Sequence, residues 1–225
     1  MNGGTVRHML MTTALATVLA LALAAGGCGK SEEPPLLLPP DEPRLPFPDT
    51  PDKLMANLQT VYEQGDFHGL VNLLAAGHVT LLQTATQAQF PALGDRLDRD
   101  EELRCHERLF SHQDVTDPEG AVVPAIATIA FQTYARQGAW ALSESSDPIP
   151  NTTCAMYDVM VLWDRGQLYS MLKSQGQVRF YVTSRDSTVG GVTRPYYQLA
   201  GQKDLTQATK SSDLMAWGTV KGLFR

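Results

Sequence analysis

The side chains best suited to chemistry are one strand carboxylate, one helical histidine, three aromatics and two cysteines. Residues 152–164 alternate, with Tyr157, Val159, Val161 and Trp163 on one face and Asp158, Met160, Leu162 and Asp164 on the other. If the Asp158 face is enclosed, the carboxyl loses water, its pKa rises, and it can act as a base toward a proton beside a carbonyl. If that face is open, Asp158 is an ordinary solvated strand carboxylate. His106 shares a helical line with Leu103, Leu109 and Phe110. There it is either a proton carrier or a hydrogen-bonded core histidine. Tyr62, Tyr134 and Trp163 either stack on a ligand or fill a core.

Other chemistries fail on spacing. His106-Glu107 opens like a zinc-protease helix, but Phe110 stands where the second histidine must be. His106 and His112 are about 240° apart round a helix, so they do not share a face. There is no Gly-x-Ser-x-Gly elbow and no phosphate-binding loop. No metal and no cofactor is therefore expected.

The elements that would position these groups sit in a chain of 225 residues, with 18 Lys and Arg against 24 Asp and Glu and a net charge of −6. That balance argues against a nucleic-acid partner, which needs a basic face. Residues 1–28 have a weakly positive start at Arg7 and His8, an uncharged run of Ala, Leu, Val and Thr, and small residues before Cys28. The apolar run is too short to span a membrane and suits a secretory signal. Leu23-Ala24-Ala25-Gly26-Gly27-Cys28 resembles a bacterial lipobox, with Ala25 where leucine is usual. The resemblance implies cleavage after residue 27, a lipid on Cys28, and residence in the cell envelope. The expected site is the outer membrane, facing the periplasm or the cell surface.

Eight of the fourteen prolines fall between Pro34 and Pro51, so residues 28–49 read as an extended tether. Residues 50–225 then form one domain. An exported chain meets an oxidising compartment, in which Cys105 and Cys154 either form a disulfide or remain separate core thiols.

Within the domain, Thr50-Pro51-Asp52 starts a helix that Gly65 ends, and Asp66 caps a second helix, stopped by Gly77. A short strand over residues 78–82 and a third helix from the acidic start at Asp98 follow. Strands are expected over residues 121–135, 152–164, 168–172, 178–183, 196–199 and 215–224, with a hairpin turn at residues 164–167. Helices followed by a run of strands predict an α+β fold with an antiparallel sheet.

The opening, with Tyr62, Gly65, Asp66 and Leu74, resembles that of nuclear transport factor 2-like (SnoaL-like) domains. Residues 196–224 resemble the closing strands of exported members. The resemblance implies a cone-shaped curved antiparallel sheet wrapped around three N-terminal helices, with a pocket at its open end. Asp158 would point into that cone, with Tyr62, His106, Tyr134 and Trp163 as further pocket candidates. The leading expectation is a lipid-anchored binding or dimerisation module that takes a small apolar ligand, a partner protein or a second copy of itself. The alternative is an isomerase- or cyclase-like enzyme using the pocket.

Overall fold

The structure, a computed structural model, describes residues 45–117, 120–205 and 214–225. Cys28, the signal segment and most of the tether lie outside the described residues.

Helix α1 (Pro51–Gln64) begins as expected: the Thr50 hydroxyl accepts from the Lys53 N–H at 3.2 Å, and Gly65 closes it at φ +62°. Asp66 caps α2 (Phe67–Leu73), accepting from the Gly69 N–H at 2.8 Å. The chain runs straight on into β1 (Leu74–Leu81), so α2 ends before Gly77. A short α3 (Thr84–Gln89), a 3-10 turn (Pro91–Leu93) and β2 (Arg96–Asp98) lead to α4 (Arg99–Leu109). A reciprocal capping box between Asp98 and Glu101 starts α4.

Strands β3 (Val115–Thr116) and β4 (Val122–Val123) form a small separate ribbon. The long strands are β5 (Thr128–Leu142), β6 (Thr153–Asp164), β7 (Leu172–Val189) and β8 (Val192–Asp204). β9 (Leu214–Met215) and α5 (Trp217–Leu223) complete the fold. The main sheet runs β2-β1-β8-β7-β6-β5, with β9 added beside β7. Gly190 and Gly191, at φ +59° and +79°, make the two-residue turn between β7 and β8.

The α+β class and the curved sheet around helices are as expected, with three differences. The sheet is mixed: β1 runs parallel to β8, pairing Leu74 with Leu199 and Thr80 with Gln202. No hairpin joins those two strands, so nothing forces them antiparallel. Residues 165–171 form a loop that leaves Leu168 90% exposed, and the expected strand there starts only at Leu172. The closing stretch is the helix α5, although its β-branched and aromatic residues favour a strand. Gly218 and Gly222 face Leu82 and the Phe90 ring, and a Cβ at Gly222 would overlap that ring. Glycine at these two positions lets the helix seat closely. Of the two states left open for the cysteines, the structure has the unbridged one: Cys105 and Cys154 are both free. Cys105 is buried with Leu82 and Leu97, while Cys154 lies in β6 between Ala141 and Tyr181.

The sheet buries Tyr157, Val159, Val161 and Trp163 of β6 with Val178, Phe180 and Val182 of β7 against α1 and α5. Residues 143–152 fold back over the other face, where Ile149 sits against Gly201, and Tyr181 lies within 3.4 Å of Asp147. Phe47 packs edge-on to Tyr196 at 5.3 Å, so the stretch just before α1 already belongs to the packed body.

Candidate functional site

The interior is built around Tyr62. Its ring meets His106, Phe110, Phe131, Trp163 and Trp217, with centroids 5.1 to 6.5 Å apart. Tyr134 and Tyr157 extend the stack, 5.1 Å apart, and Tyr134 also touches Phe131 at 4.9 Å. Edge-on contacts of this kind contribute roughly 0.5–1.5 kcal/mol each beyond the area they bury. Trp163 is buried, and its indole N–H donates to Ser174 Oγ at 2.9 Å. Two polar atoms in this region, Tyr134 Oη and Trp217 Nε1, are sealed from solvent without a partner.

Beside the aromatics lies a sealed ionic cluster. Glu102 and Lys221 are each 1% exposed, and the Lys221 ammonium donates to Glu102 Oε1. Gln202 Nε2 donates to Glu102 Oε1 at 2.9 Å, and Thr80 Oγ1 donates to Glu102 Oε2, also at 2.9 Å. Burial is the largest single effect and pushes the Glu102 carboxyl upward, but the Lys221 ammonium, its hydrogen bond and the two neighbouring histidines together outweigh it and hold the pKa at about 2. Lys221 also lies 5.6 Å from the centroid of the Trp217 ring, which joins the ionic and aromatic groups.

Two histidines flank the carboxylate. His106 Nδ1 is 2.7 Å from the Glu102 carbonyl, which can only accept, so Nδ1 carries the proton. Nε2 then accepts from Tyr62 Oη at 2.5 Å. His78 Nδ1 donates to the Leu199 carbonyl at 3.1 Å, and its Nε2 is 3.2 Å from Thr80 Oγ1. Burial lowers both imidazoles to about 4. They are therefore neutral at pH 7, and the 3.8 Å approach of His106 to Glu102 is no ion pair there. Burial also pushes the Tyr62 and Tyr134 phenols well above their ordinary value.

The structure thus gathers Tyr62, His106, Tyr134 and Trp163 in one core and leaves Asp158 out. Asp158 lies on the outer face, where its oxygens accept from Gln137 Nε2 at 2.6 Å and Gln177 Nε2 at 3.0 Å. The expected alternation in β6 is present, but its more apolar face turns inward. His106 is the hydrogen-bonded core histidine of the two readings. Cys105 is buried, and burial pushes its thiol up to about 12, which makes it unreactive. Sequence patterns do not single out Glu102, His78, Thr80, Gln202, Lys221 or Trp217. The one signal they carry is the i, i+4 spacing of Glu102 and His106 on α4. Among the described residues, no three His, Cys, Asp or Glu side chains gather to hold a metal ion.

No family model and no curated protein matches the chain. Similar solved structures include an NTF2 variant chain carrying five substitutions. It is 10% identical, covers 69% of this chain and 96% of its own length, and has a TM-score of 0.35. An NTF2-like protein of unknown function in nutrient uptake from Rhodospirillum rubrum is 12% identical. It covers 67% of this chain and 92% of its own, also at a TM-score of 0.35. No chemistry of the site rests on these likenesses. Among the described residues, no helix is long and apolar enough to cross a membrane.

Proposed function

We propose that this chain is a lipid-anchored, extracytoplasmic interaction module of the nuclear transport factor 2-like type, acting through its surface. The observation that supports this reading is the occupied interior. Tyr62, Trp163 and Trp217 fill the space inside the sheet, and Glu102, the carboxylate sealed beside them, is committed to Lys221, Gln202 and Thr80. The small residues before Cys28, and the polar, proline-rich stretch after it, support export and anchoring.

The working surface on this reading is the outer face of β5, β6 and β7. Met156, Met160 and Leu162 are half-buried there, interleaved with the hydrogen-bonded Asp158. A partly apolar sheet face of this kind suits a second copy of the chain.

Two measurements test the proposal. The intact mass of membrane-extracted protein is expected to equal residues 28–225 plus acyl groups, and an unmodified Cys28 removes the anchor. Light scattering is expected to show a dimer that Met160→Asp converts to a monomer, whereas a wild-type monomer removes the second-copy reading.

The isomerase- or cyclase-like alternative draws on Tyr134 Oη and Trp217 Nε1, two buried polar groups without a partner. Neither carboxylate offers it a base, since Glu102 is paired and Asp158 lies outside.

A further inference from the structure

Outside the core, the end of α2, the start of α4 and the β7–β8 hairpin border a groove of about 480 Å³. Two guanidinium groups line it. Arg99, the first residue of α4, is half-buried and donates from one terminal nitrogen to the Val71 carbonyl at 3.0 Å. Its Nε is sealed from solvent and has no partner. Arg185 is exposed on β7 and lies 5.5 Å from the centroid of the Tyr196 ring. Tyr196 is itself fixed, because its Oη donates to the Asn72 carbonyl at 3.2 Å.

The two arginines share a property with Arg104 and Arg165 but, unlike those, line one groove together. Arg96, Arg136, Arg179 and Arg194 each reach a carboxylate within 3.6 Å. Among the described residues, Arg99 and Arg185 reach none. In a chain with 24 acidic residues and only 18 basic ones, two such guanidinium groups in one groove stand out. A guanidinium offers five donors in a planar fork that matches carboxylate and phosphate oxygens, and most of these donors are unused here. Asp100 also lines the groove and leaves its formal charge at +1. Gln198 already donates to the Asn72 and Leu74 carbonyls at 3.2 and 3.3 Å, so recognition falls to the arginines.

We propose that this groove binds a small oxyanion, the carboxylate or phosphate group of a solute, between Arg99 and Arg185. Tyr196 serves as the platform that holds Arg185 in place. The site involves no bond making, and it depends neither on the filled interior nor on the lipid anchor.

The test is isothermal titration of the purified full chain at low ionic strength, with inorganic phosphate and, separately, with acetate. Saturable binding is expected with a Kd on the order of 1 mM or tighter. Arg185→Gln should weaken it about tenfold or more, and Arg185→Lys, which keeps the charge but not the fork, should weaken it less. Arg99→Gln should act in the same direction. It also frees the Val71 carbonyl, so the exposed Arg185 is the deciding position. Tighter binding of phosphate than of acetate indicates a phosphate-bearing solute, and the reverse indicates a carboxylate. Failure of both anions to saturate, or binding that is unchanged in Arg185→Gln, overturns the proposal.

Discussion

Acidification should destabilise this domain well above the pH at which surface carboxylates titrate. His78 and His106 are sealed in the fold as neutral rings, with pKa values lowered to about 4 by burial from an ordinary 6.5. The groups facing them are Glu102, Lys221 and Tyr62, with the charge of Arg99 also acting on His78. Because the folded pKa is depressed, the contribution is fully present above pH 6.5 and is lost as pH falls toward 4. In that window the unfolded chain binds protons that the folded chain refuses. At about 1.36 kcal/mol per pH unit, each histidine costs about 2 kcal/mol by pH 5, so the pair removes about 4 kcal/mol between pH 7 and pH 5. That is a large share of the roughly 5–15 kcal/mol typical of a domain. Urea unfolding followed by tryptophan fluorescence at pH 7, 6 and 5 reads it directly, and the midpoint should fall by about 2 M over that range. Thr80 has a single hydroxyl proton, already donated to Glu102, so His78 Nε2 has the weaker hold on its neutral form. Because both rings are lowered to about 4, His78→Asn should remove about half of the pH dependence. A midpoint unchanged from pH 7 to pH 5 would refute the sealed, neutral assignment of both rings.

Removing the Lys221 ammonium with Lys221→Met strands a buried carboxylate and should cost about 3–5 kcal/mol, while adding Glu102→Gln should recover much of the loss, as denaturant midpoints of the single and double variants would show. Gly222→Ala places a methyl 2.6 Å from Phe90 Cε2 and should cost about 1–3 kcal/mol by thermal unfolding. Alkylation followed by mass spectrometry should label the partly exposed Cys154 first and Cys105 only on unfolding; a non-reduced mass equal to that of a bridged chain contradicts the free thiols.

What could be read in the sequence was local. Thr50, Gly65 and Asp66 carry their own capping chemistry, so α1 and α2 begin where they should. The alternation in β6 was legible, but its inward side was not, because Met160 and Leu162 make both faces partly apolar. Burial chose the face with Tyr157 and Trp163. The nature of α5 was hidden because it depends on partners far along the chain. Its glycines look like helix breakers until Leu82 and Phe90 are seen against them. The ionic cluster was hidden for the same reason. Glu102 reads as one of several acids in the first turn of α4, and Lys221 as a surface lysine, until β1, β8 and α5 bring them together.

The distances that hid the cluster also bear on how the chain folds. Glu102 and Lys221 are 119 residues apart, and His78 reaches a carbonyl 121 residues away. The α1–α2 pair and the antiparallel strands from β5 to β8 can form from near neighbours. The β1–β8 pairing and the seating of α5 must each close a long loop, whose entropy opposes them until the contacts are made. Trp163 and Glu102 should therefore stay hydrated in any partly folded chain and become sealed in a late, slow step. In a stopped-flow experiment, tryptophan fluorescence should report that step well after the backbone signal of the sheet has risen.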